Sequence, residues 1–301
     1  MNQDLLCKGR LEGLDVAFSY VNIPNTASEA VLRHHCDPVA AHLLGRALAA
    51  GLLAASTLGA RERVNIRWTY RGTLKTLLVD AGPDGTCRAL ITPPRLADTP
   101  DAAALTGDGG EMRVIRTADA TVTASGTTGA QLLDVVDDLA MFLCVSDQVE
   151  TAMTVLIGFS DREGAPVRVC RGVMLQALPG CDLALFHRLR EALAQPRVRE
   201  LIASSEEEEH LPRKILEAAA APAGEGRSVR LFHTSAPTFQ CSCSQQKMGA
   251  VLGAIPAVER ADIVEKGDPL SIRCHFCNRV YSLTPEECMR IWSELAEGGR
   301  E

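Results

Sequence analysis

Hydrophobic and polar positions follow two periods along this chain, and the switches between them mark its elements. Asp37-Pro38 offers a capping side chain and a proline for the first helical turn. Val39, Leu43, Leu44, Leu48 and Leu52 then recur at helical spacing, and Gly59 is expected to close the helix. Val64, Ile66, Trp68 and Tyr70 alternate with polar residues, which is strand periodicity. Further strands are expected through Leu74 and Leu78, and at Ala89 to Thr92 after a turn at Gly82-Pro-Asp-Gly85. Residues 93–110, rich in Pro, Asp and Gly, read as a long loop, with strands resuming at Met112 to Thr117 and Thr121 to Ala124. A second helix is expected from Gly129 to Cys144. Leu132, Val135, Val136, Leu139 and Leu143 form its apolar stripe, and Asp134, Asp137 and Asp138 face away. Strands at Met153 to Phe159 and Val167 to Leu178 flank Asp161-Arg-Glu-Gly164.

After Pro179-Gly180 the pattern turns helical. Leu183, Leu185, Phe186, Leu189 and Leu193 mark an amphipathic helix ended by Pro196, followed by the acidic run Glu206 to Glu209 and a helix from Pro212 to Ala220. The stretch from Ala218 to Gly226 holds only Ala, Pro, Gly and Glu and reads as linker. The last helix has Thr284 as cap, Pro285 at its first position and Glu287 completing a capping box. Strands and helices mix without a regular βαβ repeat, so the expected fold class is α+β. The expected division is an α+β core domain over 1–180, a helical linker over 181–236, and a small cysteine-bearing domain with a C-terminal helix over 237–301.

Composition narrows this little. Hydrophobic residues make up 46% and charged residues 23% of 301, which excludes a disordered chain. The longest apolar run, Val39 to Ala55, is interrupted by His42 and Arg46 and falls short of a span of roughly 20 residues. No signal peptide is read at the N-terminus, so a cytoplasmic protein with no membrane association is expected. A net charge of −7 supplies no basic footprint, and twelve aromatic residues make few stacking platforms, so no nucleic-acid partner is expected.

Cysteine changes the picture. Of eleven, four stand apart as Cys241-Ser-Cys243 and Cys274-His-Phe-Cys277, with thirty residues between the pairs. A tight pair lets two thiolates converge on one ion from a single turn, and a second pair completes the tetrahedron that Zn²⁺ favours. One zinc per chain is therefore expected on Cys241, Cys243, Cys274 and Cys277. His233, His275 and Cys288 are weaker substitutes. Cys7, Cys36, Cys87, Cys144, Cys170 and Cys181 read as small core or incidental residues, and His34-His35-Cys36-Asp37 as a polar loop. From Phe239 to Tyr281 there are five basic and four acidic residues, so with Zn²⁺ and four thiolates the segment carries −1, a poor phosphate-binding surface. With no open zinc position, H-x-E signature, GxSxG, P-loop or GxGxxG, an enzyme is not expected.

At these residues the chain resembles the Hsp33 family of redox-regulated bacterial chaperones. The carrying segments are Phe239-Gln-Cys-Ser-Cys-Ser244, Cys274-His-Phe-Cys-Asn278 with Tyr281, and Gly172-Val-Met-Leu-Gln-Ala-Leu-Pro179. Leu105-Thr-Gly-Asp-Gly109 and the Leu52–Leu58 and Gly126–Cys144 segments support them. The resemblance implies an ATP-independent holdase, inactive when reduced and zinc-bound and switched on by oxidation. Its partners would be unfolded or oxidatively damaged client proteins, with a homodimer expected when oxidised. On oxidation, within-pair disulfides Cys241–Cys243 and Cys274–Cys277 close far shorter loops than cross-pair bonds. Metal loss would unfold the cysteine domain, undock the linker helices and uncover a client surface at Leu185, Phe186, Leu189 and Leu193. Those side chains could equally be permanent core of the first domain. The alternative function is a purely structural Cys₄ zinc domain in a protein that binds a partner or RNA.

Overall fold

The computed structural model describes residues 3–204, 210–224 and 228–298, so Glu206–Glu209 and the end of the Ala-Pro-Gly stretch lie outside the described residues. Two compact units divide the chain after Gln240.

The first unit opens with an antiparallel hairpin, β1 (Leu5–Leu11) and β2 (Val16–Asn22), followed by helices α1 (Pro24–His34) and α2 (Pro38–Ala55). Then come β3 (Glu62–Tyr70), β4 (Thr76–Ala81), β5 (Thr86–Thr92), the short α3 (Ala102–Thr106), β6 (Gly110–Ala118), β7 (Thr121–Gly129) and α4 (Val135–Ser146). Strands β8 (Thr151–Phe159) and β9 (Val167–Ala177) lead into helices α5 (Leu183–Ala194), α6 (Pro196–Ala203) and α7 (Leu211–Ala220). Strands β10 (Val229–Ser235) and β11 (Thr238–Phe239) end the unit. One sheet has the order β10-β1-β2-β9-β8, all antiparallel. The other runs β11-β5-β4-β3-β6-β7, antiparallel except where β11 pairs parallel with β5. The mixed architecture agrees with the expected α+β class.

Helix α2 sits between the sheets, touching β3, β4 and β5 on one side and β2, β8 and β9 on the other. Fourteen of its eighteen residues are buried, which accounts for a helix long and apolar enough to cross a membrane. Two glycines permit the approach. A Cβ at Gly45 would lie 2.5 Å from Ile157 Cδ1 of β8, and one at Gly51 2.5 Å from Val79 Cγ1 of β4. Asp37 caps the helix as expected, accepting from Ala40 N at 2.8 Å and also from the N–H groups of Leu96 and Ala97, so it pins the 93–100 loop as well. The helix ends at Ala55 with Ser56 as cap, and not at Gly59.

Alternation along the first sheet assigns its two faces. Cys170, Gly172 and Met174 of β9 are interleaved with Arg171, Val173 and Leu175. Cys170 and Gly172 meet α2: Cys170 Sγ donates to Gly45 O, and a Cβ at Gly172 would stand 2.9 Å from Leu53 Cδ1. Val173 and Leu175 join Phe18, Tyr20, Leu11 and Val229 in a core closed by Phe186, Leu189, Leu193, Val198, Ile202, Ile215 and Leu216 of α5–α7. The described residues of segment 181–236, expected as a linker, thus lie within the first compact unit, pack three helices on the sheet and return as its edge strand β10.

Helix α4 begins at Val135, because Asp134 accepts from Val136 N and Asp137 N and so caps it. Leu132 therefore precedes the helix and is exposed, a correction to its place in the expected stripe. Asp138 is a second correction. It is buried, accepting from Tyr70 Oη at 3.1 Å and Leu132 N at 2.9 Å. Pro196 ends α5 but opens α6 at its first turn.

The second unit contains α8 (Gln245–Gly249), a 3₁₀ turn (Ala250–Ala254), α9 (Ala257–Lys266), the hairpin β12 (Leu270–Arg273) and β13 (Val280–Leu283), and α10 (Pro285–Gly298). The expected capping box is present: Thr284 Oγ1 accepts from Glu287 N at 3.3 Å and Glu287 accepts from Thr284 N at 2.8 Å. Its core is slight. Leu252, Leu283, Cys288 and Trp292 are its buried hydrophobic members, with six partly buried side chains around them.

Candidate metal centre

The two cysteine pairs reach one point from different local structures. Cys241 and Cys243 lie in irregular chain immediately before α8, whose cap Ser244 accepts from Lys247 N at 3.2 Å. Cys274 and Cys277 occupy the turn between β12 and β13. Cys274 N donates to Arg279 O at 2.9 Å and Asn278 N to Cys274 O at 2.8 Å, and Asn278 takes the left-handed φ of 55° that tightens the turn. The four Sγ atoms all lie within 4.8 Å of one another. Cys243 and Cys277 Sγ are 3.4 Å apart, and Cys241 and Cys274 Sγ 3.7 Å. A tetrahedral ion with metal–sulfur bonds of about 2.3 Å sets ligand sulfurs about 3.8 Å apart, so the donor set fits one zinc-sized ion.

Protonation favours the same chemistry. Burial raises the Cys243 thiol, but hydrogen bonds from the Tyr281 hydroxyl and the neighbouring thiols outweigh it and bring the pKa down to about 7. Tyr281 Oη donates to Cys243 Sγ at 3.1 Å. Burial pushes Cys277 up to about 12 and also raises Cys274, since each stands beside other thiols and little water. A divalent cation removes that penalty by meeting all four as thiolates. Sequence spacing found the four sulfurs but gave Tyr281 no role, because a donor four residues beyond the second pair has no local signature.

The substitute ligands stand elsewhere. Cys288 is buried in the second unit's core, His275 is outside the cluster, and His233 falls in β10 of the first unit. Burial pushes Cys7 and Cys36 up to about 12 and raises Cys87 and Cys170 further, which leaves them as unreactive thiols. His34 and His35 form the end and cap of α1 instead of a loop.

The tentative client residues lie on α5. Phe186 and Leu189 are wholly buried and Leu193 is 3% exposed, all against the first sheet, while Leu185 is half-buried. A residue that spacing could not single out holds this layer down. Arg171, buried on β9, donates from Nε to Asn22 Oδ1 at 3.1 Å and from its guanidinium to Ile202 O at 3.3 Å and Ser204 O, the carbonyl end of α6. A cation at a helix C-terminus is favourable.

Comparison with known proteins agrees with this arrangement. The family model described as Hsp33 protein matches residues 4–284. The 33 kDa chaperonin of Gloeobacter violaceus is 32% identical over 281 residues, 89% of this chain and 88% of the relative. That of Geobacter sulfurreducens is 28% identical over 277 residues, 90% of this chain and 89% of its own length. The crystal structure of the 33 kDa chaperonin (heat shock protein 33 homolog) from Thermotoga maritima superposes with a TM-score of 0.82 at 20% identity, over 98% of this chain and 100% of that one. With a family match across nearly its whole length and the fold to go with it, this chain belongs to the Hsp33 family of chaperones.

Proposed function

We propose that this chaperone is an ATP-independent holdase of the cytoplasm, not an enzyme, whose activity is controlled by the redox state of one zinc centre. The observation that carries the proposal is four sulfurs converging within 4.8 Å in a unit whose own apolar core is too small to order it. Zinc on Cys241, Cys243, Cys274 and Cys277 would supply on the order of 10–16 kcal/mol of folding free energy. Peroxide takes two electrons from each thiolate pair. With two protons taken up from solvent, each peroxide leaves as two waters and one disulfide forms, giving Cys241–Cys243 and Cys274–Cys277 with release of the metal.

The consequence reaches the client layer through the chain. Strand β11 ends two residues before Cys241, and Gln240 N donates to Cys87 O at 2.7 Å. Unfolding beyond Gln240 loosens that anchor and, behind it, β10 and α5–α7. Release of the three helices from the first sheet bares Phe186, Leu189 and Leu193 with half-buried Leu185, surfaces that unfolded or oxidatively damaged clients can cover. A homodimer would present two such surfaces. No nucleic-acid or membrane partner is proposed.

The test is peroxide treatment of zinc-loaded protein, followed by metal release and aggregation of an unfolding client. Suppressed aggregation only after zinc release supports the proposal. Zinc loss without gain of holdase activity leaves a purely structural zinc domain, the alternative that the acidic charge and small core already disfavour.

A further inference from the structure

Three arginines from three helices meet at one cavity of the first unit. Arg46 of α2, Arg190 of α5 and Arg199 of α6 line about 500 Å³ of space, together with residues 152–157 of β8. Strand β8 ends its sheet, so half of its backbone groups have no strand to pair with. Ala177 N donates to Glu150 O at 2.9 Å, so the facing pairs Ala152–Leu175 and Thr154–Val173 bond across to β9. Thr151 has the opposite parity, and its N–H goes to Cys144 Sγ at 3.3 Å instead. Met153 and Val155 share that parity and turn their N–H groups to the open edge, where the cavity lies.

The arginines are held in place without being used up. Arg46 grips Asp134 with two prongs at 2.7 and 3.0 Å, and Arg190 pairs through one terminal nitrogen with Glu150. Neither of those carboxylates is part of the lining, so each fixes its arginine from outside. Arg190 also lies over the Phe186 ring, 5.7 Å from its centre, and its Nε–H is buried with no acceptor among the described residues. A buried N–H without an acceptor is rare in folded proteins and marks a place where a further group belongs. Arg199 is exposed, makes no hydrogen bond or ion pair among the described residues, and acts on Asp137 through charge alone. Asp137 is the one carboxylate in the lining, and burial, then Asp134, raises its carboxyl above the ordinary value.

We infer that this cavity binds a small organic phosphate monoester, with phosphoryl oxygens accepting from Arg46, Arg190 and Arg199. Three guanidinium groups against Asp137 leave two positive charges in the lining, which the dianion of a phosphate monoester balances. Planar guanidinium forks match phosphate better than any other side chain. The space exceeds what one phosphate fills, and Val136 and Leu193 give the organic part an apolar wall. The site has a regulatory consequence, which rests on the holdase reading as the binding itself does not. Arg46 stands on the core helix α2, whereas Arg190 and Arg199 stand on the layer that activation would release. A phosphate bridging them ties α5 and α6 to the core, so the bound ligand delays activation.

The probe is phenyl phosphate, titrated calorimetrically into zinc-loaded reduced protein, with inorganic phosphate as the head alone. Saturable binding is expected, with phenyl phosphate about threefold or more the tighter of the two. Arg199→Gln, at an exposed position, should weaken it about fivefold or more, the loss of one charge-assisted hydrogen bond. Asp137→Asn removes the one repelling charge and should tighten it about threefold. The site is overturned if neither phosphate binds saturably, or if Arg199→Gln binds as wild type does. Weaker binding by Asp137→Asn overturns it too, since the cavity would then favour cations. Equal affinity for the two phosphates strikes out the organic part of the ligand. Under saturating phenyl phosphate, peroxide should activate wild type about threefold more slowly, and Arg199→Gln at its unliganded rate. An unchanged wild-type rate overturns the regulatory coupling. Protein that binds phenyl phosphate but never activates fails the redox proposal and leaves the phosphate site standing.

Discussion

Tyr281 and Asp134 show how single side chains set protonation in this protein. The Tyr281 hydroxyl donates to Cys243 and helps bring that thiol's pKa down to about 7. Tyr281→Phe should cost roughly 10–100-fold in zinc affinity, as loss of a hydrogen bond to a ligand typically does. Competition against a chromophoric chelator measures it. Cys243→Ser should go further and bring zinc content well below one per chain. An unchanged metal content in that variant would remove Cys243 from the ligand set. Asp134 makes a different prediction. Burial alone would raise its carboxyl, but Arg46, at 2.7 and 3.0 Å, and the Val136 and Asp137 N–H groups outweigh it and hold the pKa below the usual value. A depressed carboxyl stabilises the fold above its unfolded pKa of about 3.9, and the contribution is lost as pH falls through the folded one. Asp134→Asn should therefore lower stability at pH 7 by about 1–3 kcal/mol, with the gap from wild type closing in acid. Urea unfolding at pH 7 and pH 3 reads both.

Among the elements, the layer α5–α7 holds the most consequence. Its stripe is buried on the first sheet, yet Arg171 ties the carbonyl end of α6 to β9 with a charge. Arg171→Met removes the guanidinium's hydrogen bonds to those carbonyls and should loosen the layer first. Limited proteolysis of the reduced variant is expected to cut between about Ala194 and Gly226, where the redox proposal expects the wild type to become susceptible only after zinc is lost. Equal resistance in the two proteins would dismiss the latch. For the proposed client stripe, Phe186→Ser and Leu189→Ser also remove sheet contacts and should cost about 3–5 kcal/mol each. Half-buried Leu185 is the cleaner site. Leu185→Ser should lower holdase activity after oxidation while the reduced protein stays folded.

The whole molecule joins a large core to a unit whose apolar cluster has four buried members among the described residues. Stability should divide the same way. Calorimetry of the zinc form is expected to show two transitions. Chelator should abolish the one belonging to the second unit and leave the first unit's α2-centred core nearly unchanged. A single transition that moves as a whole on chelation would mean that the metal stabilises the entire chain.

Local chemistry was legible in the sequence: the Asp37-Pro38 and Thr284-Pro285 helix starts, the alternation of β3, and the four sulfurs in two tight pairs. Each depends on residues a few positions apart, where backbone geometry alone fixes the outcome. The tertiary structure decided what needed distant partners. Asp138 was expected outward by helical phase, but Tyr70, 68 residues away, makes burial affordable by satisfying its carboxylate. Strand β10 has no strong alternation and becomes a strand because β1 offers a free edge. Arg171 reads as an ordinary strand residue until α6 brings it two carbonyls to bond. Periodicity records which face of an element is apolar, but only the packed chain determines what meets that face.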